Sequence, residues 1–444
     1  MTSAAGETQT DPGVLPSRQE AQDLLKCALA KATAEHVEIA LSAERKGSTR
    51  FSANTITQNI ADDDARLRVR AAWGQKVGQA ETNDLSDEGI ARAVARAEAI
   101  AKASAPDLEY LPPLGPQRYA ESAAYDAAAG EASPDLRAEW VVAAVKSAPK
   151  GVTLSGSTAT SGQVTALANS KGLLAYHRAS DARFTATAIA PDSSGWAEGL
   201  GHRAADMDPA ALAREAGEKA LRSAAPRDLV PGAYPVILEP AAAAEYLTFL
   251  LWSYNAKPAD EGRSCMTGKA GTAIAASNVT LSSDPARPGC DTVPFCGDGL
   301  PAPKATWIDK GVASRLVTSR FWGQKTGKPV TGQPTNLILE GGTTPLESMI
   351  RNTERGVLVT RFWYIRFVDP MTLLLTGMTR DGLFWIENGK IAHGLRNMRF
   401  NDSPLRTLKH VEALGAGRLV GEYVPAFMPP VKLGQFTFSS ATTF

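Results

Sequence analysis

Histidine is scarce. The 444 residues contain five, at His36, His177, His202, His393 and His410, and no two lie at the four- or five-residue spacing that sets a pair of zinc ligands on one helix face. A local zinc-hydrolase motif is thereby excluded; only a site assembled from distant segments stays open. Cysteine is scarcer still. Cys27, Cys265, Cys290 and Cys296 do not make a disulfide framework and suit a reduced compartment. Five residues separate Cys290 from Cys296, too many for a zinc knuckle, so both read as loop thiols. Cys265 has no histidine near it in sequence, and Cys27, beside Leu24, Leu25 and Ala28, reads as a small buried hydrophobe. Net charge is absent as well, with 47 Lys and Arg against 47 Asp and Glu, so a dominant nucleic-acid or anionic-membrane surface has no footprint. No apolar run is long enough to span a bilayer, the densest being Tyr246 to Trp252. The first twenty residues show neither the basic start nor the apolar stretch of a signal peptide. Gly268-Lys269 and Gly327-Lys328 lack the upstream glycine of a phosphate-binding loop. A cytoplasmic protein with no nucleic acid, membrane or nucleotide partner is expected.

What is present points to an α+β fold, with mixed and antiparallel sheets and flanking helices, two smaller N-terminal units and a larger strand-rich C-terminal domain. After a polar, frayed tail, Ser17 with Glu20 three residues on predicts a capped helix to Ala32. Residues 36–82 alternate in short runs, with turns expected at Lys46-Gly47, Ala53-Asn54, Asp62-Asp63-Asp64 and Trp73-Gly74. A second helix is expected from Ser86 to Ala103, ending before Pro106. The proline-rich stretch after it predicts a linker over 106–130, between a first domain at 17–105 and a middle domain at 131–230. The middle domain should hold a helix from Ser133 to Ala148, strands over Val152 to Ile189 turned at Ser161-Gly162 and at Asn169 to Gly172, and a helix capped by Asp208. Its mixture of elements repeats that of the first domain, without residue-level similarity. The third domain, 231–444, opens with a strand at Tyr234 to Leu238 and an apolar helix at Ala241 to Trp252. It continues in hairpins, among them Leu383 to Ile391 about Asn388-Gly389, and ends with a helix from Leu405 to Leu414. Phe362-Trp363-Tyr364 reads as a buried strand in preference to a stacking platform.

Residue chemistry alone stops there. The segment Arg366 to Ile391, with Thr376-Gly377, the Arg380 to Gly382 turn and Ile386-Glu387-Asn388-Gly389-Lys390-Ile391, resembles the C-terminal signature of the TldD/PmbA family of zinc metallopeptidases and their partner subunits. Asp260 to Arg263, Ile308 to Val312 and Arg399 to Pro404 extend the likeness in the same order. In catalytic members a helix following such a strand bears H-E-x-x-x-H, and a distant cysteine completes the zinc site. The corresponding stretch here, Pro240 to Trp252, keeps only Glu245, and Gly421 to Gly434 holds no cysteine. The resemblance therefore implies the metal-free TldE/PmbA type: no catalytic residue, metal or cofactor in this chain, zinc in a TldD-like partner subunit, and a complex that digests unfolded peptides. Self-association is left open. Arg263, Ser264, Arg380, Asp381 and Gly382 are candidates for substrate binding or structural turns. The alternatives are an independent metal-free hydrolase or transferase built on Arg263, Ser264 and Cys265, and a non-enzymatic regulatory protein.

Overall fold

The computed structural model describes residues 15–421 and 423–442; the tail expected at residues 1–14 lies outside them. The first helix, α1 (Arg18–Ala30), opens on the expected capping box: Ser17 Oγ accepts from Glu20 N–H at 3.3 Å, and Glu20 Oε2 from Ser17 N–H at 2.7 Å. Then come β1 (His36–Ser52), β2 (Thr55–Trp73), β3 (Lys76–Thr82) and α2 (Asp87–Ala103). The short α3 (Ala127–Gly130) leads to α4 (Pro134–Ser147), β4 (Thr153–Asn169), β5 (Leu174–Ile189), β6 (Ser194–Gly201) and α5 (Pro209–Arg222).

Three expected turns do not occur. β1 runs straight through Lys46-Gly47, β2 through Asp62 to Asp64, and β4 through Ser161-Gly162. Arg45 faces Asp63 and Lys46 faces Asp62 across the ladder, so the charge runs are cross-strand pairs. The glycines mark close approach. A Cβ at Gly47 would lie 2.2 Å from the Arg137 guanidinium, and one at Gly162 would lie 2.8 Å from Gly130 O. The chain does turn at Ala53-Asn54, where φ is 48° and 65°. Cys27 is half-buried, not buried, because its thiol faces the α1–α2 junction and donates to Asp87 Oδ1 at 3.4 Å.

One six-stranded sheet, ordered β3-β2-β1-β4-β5-β6, carries both N-terminal units, joined by antiparallel pairing of β1 with β4. Helices α1, α2, α4 and α5 bury apolar stripes on one face, in two separate cores. The order α-β-β-β-α occurs twice, and register makes the copies match. Gly78 of β3 faces Ala71 and lies under Ala97 and Ala101 of α2; Gly195 of β6 faces Ala188 and lies under Ala216 and Ala220 of α5. In both a Cβ would come within about 2.2 Å of a helix carbonyl, 2.1 Å at Gly78 and 2.2 Å at Gly195.

In the third domain β7 (Gly232–Leu238) sits inside a nine-stranded sheet, parallel to Arg355–Val359 on one side and antiparallel to Val431–Ala441 on the other. The strand Phe362–Asp369 forms one edge of that sheet. Helix α6 (Pro240–Trp252) follows β7, and its residues 240–251 are all buried, as an all-round apolar sequence requires. Tyr246 is the hub of an aromatic core with Phe362, Phe400 and Phe436, at ring separations of 6.1, 5.9 and 5.6 Å. Asn388-Gly389, at φ 52° and 72°, turns the expected hairpin. The expected helix from Leu405 to Leu414 is only half helical. After Pro404–Thr407 and a short 3-10 turn, Val411–Leu414 pairs with Val431 to Leu433, which buries Val411 and Leu414 as strand residues.

Candidate functional site

The candidate zinc helix is built from β7 through Glu239, whose carboxylate leaves the α6 N-terminus uncapped and reaches the middle domain. It takes Lys219 Nζ at 2.7 Å; the same nitrogen donates to Glu215 at 2.7 Å and to Trp196 O at 3.2 Å. Lys219 is held charged: burial would lower its pKa, but two carboxylates raise it above its ordinary value. Glu245, two turns along α6, is buried to 9% exposure and lines a cavity of about 160 Å³ with Phe362, Trp363, Ile365, Arg366 and Tyr423. With Glu245 as the carboxylate of H-E-x-x-x-H, the histidine positions fall on Ala244 and Phe249. Ala244 has no donor. Phe249 is buried against Trp252 and Phe367 at 5.0 and 5.1 Å between rings. These side chains do not fit a zinc ion. Among the described residues no three of His, Cys, Asp and Glu converge as a metal site.

Arg380, Asp381 and Gly382 form a tight turn at φ 55° for Asp381 and 127° for Gly382. A Cβ at Gly382 would lie 2.9 Å from Thr360 Oγ1, which donates to Gly382 O at 2.9 Å. The Asp381 carboxylate reaches across to the middle domain, accepting from Ser194 Oγ at 2.9 Å, and pairs with Arg361 at 3.3 Å and Arg380 at 3.6 Å. Arg361 in turn lies over the Trp196 ring, 4.4 Å from its centroid. Arg263 is exposed and pairs with Glu261. Ser264 accepts from Met266 N–H at 3.1 Å and lies 3.4 Å from Ser253 O, at the far end of α6. Glu245 and Ser253 stand about 12 Å apart along the helix axis, so the structure does not bring Ser264 to Glu245. Cys265 is part of the core and burial pushes its thiol above the ordinary value, away from the thiolate a nucleophile needs. Cys290 is pushed up to about 12 by burial and is free, as is Cys296. A larger cleft of about 730 Å³, walled by Leu316, Pro329 and Val330, contains none of the candidates.

Two features escaped the sequence. Trp363 and Tyr364 are exposed, not buried, since Phe362–Asp369 is an edge strand that turns only Phe362 and Ile365 inward. The inter-domain contacts of Lys219, Glu239 and Arg361 were also missed; the one signal was an acidic residue directly before a helix-starting proline.

The likeness of this three-domain α+β architecture to known proteins places it among metallopeptidase-related folds. Family models agree along the chain: residues 37–101 match domain 1 of the PmbA/TldA metallopeptidases, 118–224 the central domain and 231–440 the C-terminal domain. The chain belongs to the TldD/PmbA family. It is 23% identical over 392 residues to the metalloprotease PmbA of Escherichia coli O157:H7, covering 83% of this chain and 84% of that protein. It is 26% identical over 230 residues to a metalloprotease of Methanothermobacter thermautotrophicus, a match that spans 47% of this chain and 49% of that protein. In fold it is similar to TldE from Thermococcus kodakarensis, with a TM-score of 0.86 at 19% identity over 94% of this chain and 99% of that one. It is also similar to a Thermotoga maritima protein described as a proposed modulator of a DNA gyrase, with a TM-score of 0.84 at 20% identity over 95% and 100% of the two chains.

Proposed function

We propose that the chain is the non-catalytic subunit of a two-subunit, cytoplasmic zinc peptidase that acts on unfolded peptides, the zinc being held by a TldD-like partner. The observation that carries this reading is the buried α6, where alanine and phenylalanine occupy the ligand positions and leave Glu245 without a metal-activated water to deprotonate. The sheet edge supports a part in substrate binding. Trp363, Phe367 and Val368 are 38%, 39% and 52% exposed on the edge strand, and an unpaired apolar edge takes an extended peptide as an added strand. Size-exclusion chromatography of this chain with a zinc-bearing family member, with an unfolded peptide assayed across the fractions, tests the proposal. Co-elution is expected, with hydrolysis confined to the joint peak. A zinc-bearing chain that is fully active alone and never co-elutes would overturn it.

A further inference from the structure

A second cleft, of about 230 Å³, lies where the six-stranded sheet meets the third domain. Its floor is the face of β1, β4 and β5 opposite the helices, and antiparallel register sets its side chains in rows. Lys46 faces Ser161, which faces Asp181; one step along, Glu44 faces Gln163. Alternate residues share a face, so all five line the same cleft. Leu419, Val424 and Pro425 of the third domain complete its wall.

Arg183, in the wall, is held by Glu198 at 3.1 Å with its Nε unpartnered; around Gln163, by contrast, acceptors outnumber donors. Gln163 Nε2, which carries two hydrogens, faces three oxygens: Glu44 Oε1 at 3.1 Å, Ser161 Oγ at 3.3 Å and Asp181 Oδ2 at 3.5 Å. His202, also in the wall, sets Nδ1 2.8 Å from Ser180 O and 3.7 Å from Asp181 Oδ1. A carbonyl only accepts, so Nδ1 carries a hydrogen, and in the neutral ring Nε2 is the acceptor; it is buried and has no partner. Among the described residues no lysine or arginine stands at ion-pair distance from Glu44 or from Asp181. Lys46 and Arg183 share the lining, but neither reaches ion-pair distance of Glu44 or Asp181, and Arg183 is taken by Glu198. Two carboxylates that no cation contacts, beside an unpartnered imidazole nitrogen, suit a group that donates several hydrogen bonds and carries positive charge. The volume is below the roughly 300–1,000 Å³ of a site for drug-sized ligands and suits the end residue of a chain.

We propose that this cleft binds the primary ammonium group of a peptide, the α-amine of its first residue or a lysine side chain. The peptide as ligand rests on the function proposed above; the ammonium chemistry rests on the cleft. Titration calorimetry of the purified chain with trialanine amide, N-acetyl-trialanine amide and N-acetyl-lysine amide tests it. Trialanine amide or N-acetyl-lysine amide is expected to bind, and the tighter of the two assigns the source of the amine. The acetylated trialanine, which has no charge, is expected to bind at least about tenfold more weakly than the tighter amine. Glu44→Gln and Asp181→Asn should each weaken binding by about tenfold, with unfolding midpoints showing both variants folded. Lys46→Gln should strengthen it, because a like charge leaves the cleft. Equal binding of the acetylated peptide, no binding of either amine, or indifference to both carboxylate variants would overturn the proposal. Failed titration with co-elution of the two subunits intact would condemn the cleft alone. Successful titration without co-elution would condemn the subunit reading alone.

Discussion

Asp381 shows how one side chain can serve two domains. Its backbone sits at φ 55° and its carboxylate holds Ser194 of the middle domain and Arg361 of the third. Arg361 is mostly buried, with side-chain exposure of 14%, so removing the carboxylate leaves a desolvated cation whose remaining neighbours are aromatic. Asp381→Ala should cost about 3 kcal/mol in urea unfolding, whereas Ser194→Ala, which removes a single neutral donor, should cost about 1 kcal/mol. Equal effects would mean that the hydrogen bond and not the charge matters. Lys219 makes a second prediction at this scale. Glu215 has its pKa lowered, burial being outweighed by Lys219. A lowered carboxylate stabilises the fold above its ordinary value of 4.5 and loses that contribution as pH falls through the lower folded value. Lys219 has its pKa raised, so its contribution is full below 10.5 and is lost as pH rises through the higher folded value. Lys219→Met should therefore flatten the stability profile at both ends, measured by denaturant unfolding between about pH 3 and 11. An unchanged acid limb would show that Glu215 does not depend on Lys219.

At the scale of elements, the local signals were legible wherever one segment contains its own reason. Ser17 with Glu20, Asp208 before Pro209 and Asn388-Gly389 each satisfy their own backbone, and each element starts or turns where those residues stand. Gly47 and Gly162 were illegible because a strand glycine can mean a turn or a close neighbour, and the neighbours, Arg137 and Gly130, are far off in sequence or on another element. The end of the chain misled for a related reason: Leu405, Leu408, Val411 and Leu414 have helical spacing, yet the sheet offers the last two a buried edge at Val431 to Leu433. The repeated α-β-β-β-α unit was hidden because the copies share contact positions more than residue types; Val69 and Leu67 of β2 stand where β5 has Ala186 and Phe184. Only the tightest contacts keep their residues. Gly78→Ala and Gly195→Ala should each destabilise by about 2 kcal/mol, since the clash is with helix backbone that cannot rotate away. Thermal unfolding of the two variants should give similar losses, and a neutral effect at one site would break the equivalence.

For the whole molecule, the deciding contrast is between a sheet edge that is finished and one that is not. The N-terminal sheet ends in β3 and β6, both packed under a helix. The third domain's edge strand, Phe362–Asp369, instead presents Trp363, Phe367 and Val368 outward, beside Trp252 and Tyr423, whose rings lie 5.7 Å apart. Two of these residues, Trp363 and Tyr423, line the cavity of Glu245. The resemblance made the missing histidines legible in sequence; the exposed edge was not, because alternating aromatics read equally well as a core strand. An edge that is apolar and left open is useful only if something pairs with it, and under the proposed function that partner is the extended peptide. Trp363→Ser combined with Phe367→Ser should then leave the protein folded, because both residues lie on the open edge of the sheet; the lost contacts with Phe249 and Arg380 should lower the unfolding midpoint by a few degrees. The two subunits should still co-elute, while hydrolysis of an unfolded peptide by the complex should fall by about tenfold in kcat/KM, the equivalent of about 1.4 kcal/mol of lost apolar contact. A complex that falls apart would assign this edge to the subunit interface, and undiminished hydrolysis would leave the strand without a part in substrate binding.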